Sequence, residues 1–140
     1  MAVLGGEFAL ILLIEGNWNT VAKLEGQLNS LQEQLALSIL CKPTQLPPPA
    51  ADLLPYGIDV VALDHPGIVH SLAAFFSGRK INIQDLVTSS YAAAHTASPM
   101  FSVHMVVNIP AEVHIATLRE DFMDFCDQLN LDAVMEPIKN

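Results

Sequence analysis

The sequence has little positive charge. Six Lys and Arg stand against 15 Asp and Glu in 140 residues, which gives a formal net charge of −9. The basic residues are scattered and form no patch: Lys23, Lys42, Arg79, Lys80, Arg119 and Lys139. Proteins that hold a phosphate backbone do so with clustered Lys and Arg. The sequence therefore predicts neither direct nucleic-acid binding nor docking on an anionic membrane.

Cysteine is scarce, and no apolar run is long enough to span a bilayer. The two cysteines are too few for a disulfide framework and predict reduced thiols. The apolar run Phe8–Ile14 lies between Glu7 and Glu15. It is far shorter than the roughly 20 residues of a membrane-spanning helix, and no basic residue precedes it. We therefore expect neither a signal peptide nor a membrane anchor.

Motifs for catalysis and metal binding are absent from the sequence. No pair among the five histidines has the one-turn helical spacing that would aim two imidazoles at one metal: His65, His70, His95, His104 and His114. No nucleophile elbow surrounds a serine or cysteine, and no phosphate-binding loop is present. The sequence predicts no catalytic residue, no metal site and no cofactor.

Apolar residues are abundant for so short a chain. They make up 51% of the sequence, whereas charged residues make up 15% against a usual share of about a quarter. A chain of this length can bury only a limited core. The surplus of apolar surface predicts self-association.

A proline-rich stretch divides the chain. Residues 43–55 contain five of the nine prolines. Such a composition favours an extended, semi-rigid linker. The linker separates a front part, residues 1–42, from a rear part, residues 56–140. The rear part is long enough to fold alone.

The rear part shows alternating strand and helix patterns. A β-rich run, Ile58–Leu63, precedes an apolar helical stripe that begins after Pro66 and stops at Gly78, which we expect to be left-handed. The later segments predict a strand with one irregular step, a strand, a helix and a last strand: Ile81–Tyr91, Met100–Asn108, the residues after Pro110, and Leu131–Met135. This order predicts an α+β, ferredoxin-like split βαβ fold, an antiparallel sheet with two helices on one face.

The front part repeats the second half of this pattern. We predict strands at Met1–Leu4 and Phe8–Ile14, a helix with an apolar stripe from Val21 to Leu35, and a strand at Leu37–Lys42. A first strand and a first helix are missing from this copy. Because their absence leaves strand edges and a sheet face uncovered, we expect a dimer or larger oligomer in which front parts pack together.

One local group of residues has a rationale as a binding site. Asp64, His65, Pro66, Gly67 and Ile68 stand between a predicted strand and a predicted helix. The free N–H groups and the dipole of a helix N-terminus favour a carboxylate, and glycine leaves room for it to approach. The alternative is an ordinary helix start with capping residues.

The segment DHPGIVHSLAAFF followed by INIQDL resembles the start of an ACT domain, a small module that binds amino acids in many metabolic proteins. The longer phrases GGEFALILLIEGNWN, HTASPMFSVHMVVNIPAE and LREDFMDFCDQLNLDAVMEP resemble the glycine cleavage system transcriptional repressor family, whose members have tandem ACT domains. The resemblance spans nearly the whole chain. This chain would lack the first strand and helix of the first ACT domain.

The resemblance implies a cytoplasmic bacterial regulator that contacts a transcriptional activator protein of the glycine cleavage operon. It implies glycine or another small amino acid as the effector and no DNA contact of its own. The effector turn would be Asp64–Ile68, with Asn82 and Ile83 as facing residues.

Two other functions stay open at this point. The chain could be a ligand-free structural ACT remnant that serves as a dimerisation module, or an enzyme or carrier on the same fold, because fold alone does not determine function. Calorimetry with glycine separates the regulatory module from the remnant, since the remnant should give no heat.

Overall fold

The computed structural model describes residues 1–46 and 52–138, apart from the side chain of Leu4. The chain forms two compact units, Met1–Pro47 and Pro48–Asn140. The boundary between them falls inside the predicted linker, whose centre, residues 47–51, lies outside the described residues.

The front unit contains a short hairpin and one helix. Strands β1 (Ala2–Leu4) and β2 (Glu7–Ala9) pair antiparallel around two glycines with positive φ, Gly5 and Gly6. Two successive residues with positive φ form the kind of tight turn that matches strand twist. Helix α1 (Trp18–Leu35) begins after Asn17, whose side chain accepts a hydrogen bond from the Thr20 N–H at 2.9 Å.

Two front-unit strand predictions are wrong. The second strand ends at Ala9 rather than Ile14, because β1 offers only three residues as partners. The described residues 37–46 contain no strand, although one was predicted for Leu37–Lys42. This segment instead folds back on the end of α1, where Gln32 accepts hydrogen bonds from the N–H groups of Leu37 and Ile39.

The rear unit has the predicted order of six elements. They are β3 (Leu53–Leu63), α2 (Ile68–Gly78), β4 (Asn82–Ala92), β5 (Pro99–Pro110), α3 (Ile115–Gln128) and β6 (Asp132–Pro137). The strands form one antiparallel sheet in the order β4-β5-β3-β6. The prediction of a ferredoxin-like α+β fold is therefore confirmed. The irregular step predicted in the third element is a register shift between Ile83 and Asp85.

The core lies between the sheet and the two helices. Alternate residues of the central strands are buried, and both helices bury one stripe against them: Ile58, Val60, Val103, Met105 and Val107 from the strands, and Leu72, Phe76, Leu118, Phe122 and Cys126 from the helices. Because one strand face is buried in this way, a shift of one residue in register would expose the whole set.

Two boundaries in the rear unit differ from prediction. β3 begins at Leu53, inside the predicted linker, because its register with β5 continues to Pro110 and the Pro55 carbonyl accepts a hydrogen bond from the Ile138 N–H. Gly78 remains helical. The left-handed residue is Lys80, with a φ of 58°. The Ile81 N–H donates a hydrogen bond to the Phe76 carbonyl and so caps the end of the helix.

Candidate functional site

The turn between β3 and α2 carries most of the residues predicted to bind a ligand. Gly67 is the N-cap of α2 and has a φ of 98°, and its carbonyl accepts the hydrogen bond from the Ser71 N–H at 2.9 Å. A Cβ at this position would meet nothing within 4 Å. Backbone conformation, rather than crowding, is therefore what selects glycine here. Pro66, predicted in the first helical turn, precedes the cap.

The N-terminus of α2 has no side-chain cap. Asp64 is exposed and accepts a hydrogen bond from the Ser90 hydroxyl at 3.4 Å, while its own N–H donates to the Pro99 carbonyl at 2.9 Å. His65 is also exposed, and its Nδ1 lies 3.1 Å from the Pro66 carbonyl. The first N–H groups of a helix have no partner within the helix, so the turn presents donors, and Asp64 lies three residues before the cap.

Ile68 has a different place from its neighbours in the turn. Its side chain is only 2% exposed and belongs to the hydrophobic core. A ligand at the turn can therefore meet the backbone N–H of Ile68 but not its side chain.

Asn82 and Ile83 lie at the other end of the sheet. Asn82 is paired with Asn108, which is paired with Pro55 near the start of β3, whereas Asp64 follows the end of β3. Nine residues along a strand, at about 3.3 Å each, correspond to about 30 Å. A single chain does not bring these two parts of the predicted site together.

Asn82 and Ile83 instead line an open depression of about 400 Å³ between α2 and the start of β4. Its other lining residues are His70, Ala73, Ala74, Ser77 and Ile81. Sequence analysis missed the helical part of this depression. The available signal was the spacing of His70, Ala73, Ala74 and Ser77, which puts small and polar side chains on one helix face.

A second depression, of about 390 Å³, lies between α2 and α3 and was also missed. The Arg79 guanidinium is 3.3 Å from the Asp121 carboxylate, and its central carbon is 3.8 Å from the centre of the Phe75 ring. The same cation thus pairs with a carboxylate and an aromatic face. This arrangement links the end of α2 to α3.

Neither a metal cluster nor a membrane-spanning helix is present in the described ranges, 1–46 and 52–138. No three His, Cys, Asp or Glu side chains there are grouped so that they could hold a metal ion. No helix there combines the length and apolar character that crossing a bilayer requires.

Burial of Cys126, with a smaller contribution from Asp127, raises the pKa of this thiol to about 11.

Comparison with known proteins gives a match in the front part. The ACT domain family model matches residues 1–42. The segment that most resembled an ACT domain in the sequence lies in the rear part instead. The family model thus covers 42 of the 140 residues.

Curated relatives match nearly the whole chain. The glycine cleavage system transcriptional repressor of Escherichia coli (strain K12) is 27% identical over 130 residues, which are 93% of this chain and 68% of the relative. The protein of the same name from Shigella flexneri matches with the same identity and coverage.

Solved structures share the fold. A crystal structure described as a candidate glycine cleavage system transcriptional repressor matches with a TM-score of 0.70 and 21% identity, over 89% of this chain and 70% of that one. An ACT domain protein from Streptococcus pneumoniae matches with a TM-score of 0.51 and 23% identity, over 61% of this chain and 91% of that one. Residues 1–42 thus match the ACT domain family model, and the chain as a whole is similar to the glycine cleavage system transcriptional repressors.

Proposed function

We propose that this protein is a non-enzymatic, cytoplasmic regulator that responds to a small amino acid and acts through contact with another protein on the expression of glycine cleavage genes. The observation that carries the proposal is the similarity to curated repressors across 93% of the chain. The net charge of −9 agrees with a regulator that does not hold DNA itself. Its protein partner would be a transcriptional activator.

The turn at the start of α2 supports an α-amino acid as the effector. The uncapped helix N-terminus offers N–H donors and a positive dipole to a carboxylate. Asp64, three residues before the cap, is exposed and offers a negative charge to an ammonium group. A ligand that carries an ammonium and a carboxylate group on one carbon atom, as glycine does, fits this combination. No metal or cofactor is part of the proposal.

A second copy could bring the two parts of the predicted site together. β4 is an edge strand of the rear sheet. Since antiparallel strands run in opposite directions, pairing of two β4 strands along their length would bring the Asn82 end of one copy to the Tyr91 end of the other. Tyr91 is level with Leu63, which precedes Asp64. In such a homodimer Asn82 and Ile83 would face the partner's turn.

A reporter assay tests the regulatory function. A glycine cleavage promoter is fused to a reporter in a strain that lacks its own repressor but keeps the activator, and this chain is expressed there. We expect repression that changes when glycine is added and that disappears when the activator is deleted. Unchanged reporter output with this chain present would contradict the proposal.

The second candidate function is a ligand-free dimerisation module. The separation of Asp64 from Asn82 within one chain favours it, because one copy alone offers only half of the predicted site. A dimer that gives no heat with glycine and no repression would establish this alternative.

A further inference from the structure

The Ser90 side chain lies against the Asp64 carboxylate. Its hydroxyl donates a hydrogen bond to Asp64 Oδ2 at 3.4 Å. The Asp64 N–H donates to the Pro99 carbonyl, at the start of β5, at 2.9 Å. Asp64 is therefore attached to the rear sheet at two points, one on its backbone and one on its side chain. The backbone contact fixes where Asp64 lies, and the Ser90 contact fixes where its carboxylate points.

The register of the rear sheet places Ser90 beside the turn. Ser90 is paired with Phe101, which is paired on its other side with Ala62, two residues before Asp64. Residues directly opposite each other in a sheet point to the same face. Because Ala62 is buried and Phe101 packs against the core, this is the face that carries α2. Ser90 is exposed on that face, on the edge strand β4.

The direction of the Asp64 carboxylate decides whether the N–H groups of α2 stay available. Carboxylates near the start of a helix commonly accept hydrogen bonds from its free N–H groups. Gly67, the N-cap, has no side chain that could do so, and no described side chain caps α2. Asp64 is the acidic residue nearest in sequence to this cap. If its carboxylate turned to the helix, it would take the donors that the carboxylate of an amino acid needs.

We propose that Ser90 is the positioning residue of the effector turn. Its hydroxyl holds the Asp64 carboxylate toward β4, where the carboxylate can accept an ammonium group, and leaves the N–H groups of α2 to the ligand's carboxylate. This inference rests on the proposed function, since it concerns the same turn. Ser90 itself needs no contact with the ligand.

The chemistry of the Ser90 contact suits this role. A hydroxyl that donates to an ionised carboxylate makes a stronger hydrogen bond than one between two neutral groups. The separation of 3.4 Å is long against the roughly 2.7 Å usual between two such oxygens. Both side chains are exposed, so a small rotation of either one brings the oxygens to that distance. One oxygen of the Asp64 carboxylate then remains for the ammonium group.

Ser89 supplies a matched control on the same strand. Its hydroxyl oxygen lies 2.7 Å from that of Ser102, with which it is paired, and successive strand residues point to opposite faces. Ser89→Ala therefore removes an exposed hydroxyl and one hydrogen bond from β4, as Ser90→Ala does, but changes nothing at the turn. Ser90→Thr keeps the hydroxyl, and threonine is well suited to a strand.

Calorimetric titration of the full chain and these three variants with glycine tests the inference. We expect Ser90→Ala to raise the Kd for glycine about three- to tenfold, the range that one hydrogen bond contributes. Ser90→Thr and Ser89→Ala should bind glycine as the wild type does. Urea unfolding should give similar free energies of unfolding for Ser90→Ala and Ser89→Ala, since each loses one exposed hydrogen bond.

Equal glycine binding by the wild type and Ser90→Ala would overturn the role of Ser90 and leave the turn as the effector site. Weakened binding that Ser90→Thr does not restore, or equal weakening in Ser89→Ala, would also overturn it, because the loss would then come from the strand and not from the hydroxyl. A wild-type chain that gives no heat with glycine would overturn both this role and the effector site.

Discussion

The Asp59 and His104 side chains meet across the two central strands of the rear sheet, with Oδ1 and Nδ1 2.7 Å apart. Both alternate with buried residues of β3 and β5, so they lie on the sheet face away from the helices. Their side chains are 65% and 53% exposed. Water screens a pair at such a site, and exposed ion pairs contribute about 0–1 kcal/mol.

We therefore expect little coupling between Asp59 and His104. A double-mutant cycle with Asp59→Ala and His104→Ala, measured by urea unfolding at pH 6, should give a coupling free energy below about 1 kcal/mol that falls further at high salt. A coupling above about 2 kcal/mol would mean that a partner buries this face in solution.

The two glycines at the ends of α2 should respond differently to alanine. Gly67 has a φ of 98°, where an L side chain is strained, whereas Gly78 has no positive φ, and a Cβ at either position meets open space. Gly67→Ala should lower the free energy of unfolding by about 1–3 kcal/mol. Gly78→Ala, the matched control, should leave it unchanged or raise it slightly. Equal effects in urea unfolding would show that the turn relaxes to another conformation.

The aromatic cluster between the helices should carry much of the rear unit's stability. Phe122 is fully buried, and its ring centre lies 5.3 Å from those of both Phe75 and Phe76. Phe122→Ala removes these contacts and leaves a cavity, so the free energy of unfolding should fall by about 3–5 kcal/mol. Tyr91→Ala is the control. Because Tyr91 is 48% exposed, its substitution should lower the free energy of unfolding far less. A loss below about 1 kcal/mol for Phe122→Ala would contradict this packing.

The elements of the rear unit could be predicted because their periodicity agrees with their burial. Val103, Met105 and Val107 alternate with more exposed residues in the sequence, and these three are buried in the sheet. The front unit was less predictable. In the structure Gln32 accepts hydrogen bonds from the N–H groups of Leu37 and Ile39, which a neighbouring strand would otherwise accept. Nothing in the local sequence of Leu37–Lys42 indicates this.

The candidate site was predictable only as separate pieces. The turn at Gly67 follows from local sequence, since a strand, a proline and a glycine before a helical stripe specify it. The distance from Asp64 to Asn82 depends on strand order and register, which place β5 between β3 and β4. These are properties of tertiary pairing that periodicity within a segment does not encode.

The two thiols should differ in reactivity. Cys41 is exposed, whereas Cys126 is 1% exposed and burial raises its pKa from 9.0 to about 11. At pH 8 a disulfide reagent should label one thiol per folded chain and two after unfolding, because the thiolate is the reactive form. Two rapid labels in the folded wild type, or one in Cys41→Ser, would contradict the burial of Cys126.

The same pKa shift predicts a pH dependence of stability. The fold favours the neutral Cys126 thiol, so the folded state binds more protons than the unfolded state between pH 9 and about 11. Stability should be lost as the pH rises through this window, and Cys126→Ala should remove that part of the loss. A stability curve over this window that is identical in both proteins would refute the assignment.

The central claim is that the protein is a regulator that binds a small amino acid at the α2 turn. Calorimetric titration with glycine tests this claim most directly. We predict saturable binding that Asp64→Ala abolishes and Asp127→Ala, an exposed acidic residue of α3, leaves intact. Acetate and methylamine, which each carry one of glycine's two charges, should not compete. The absence of heat with glycine, or equal binding in the wild type and Asp64→Ala, would contradict the account.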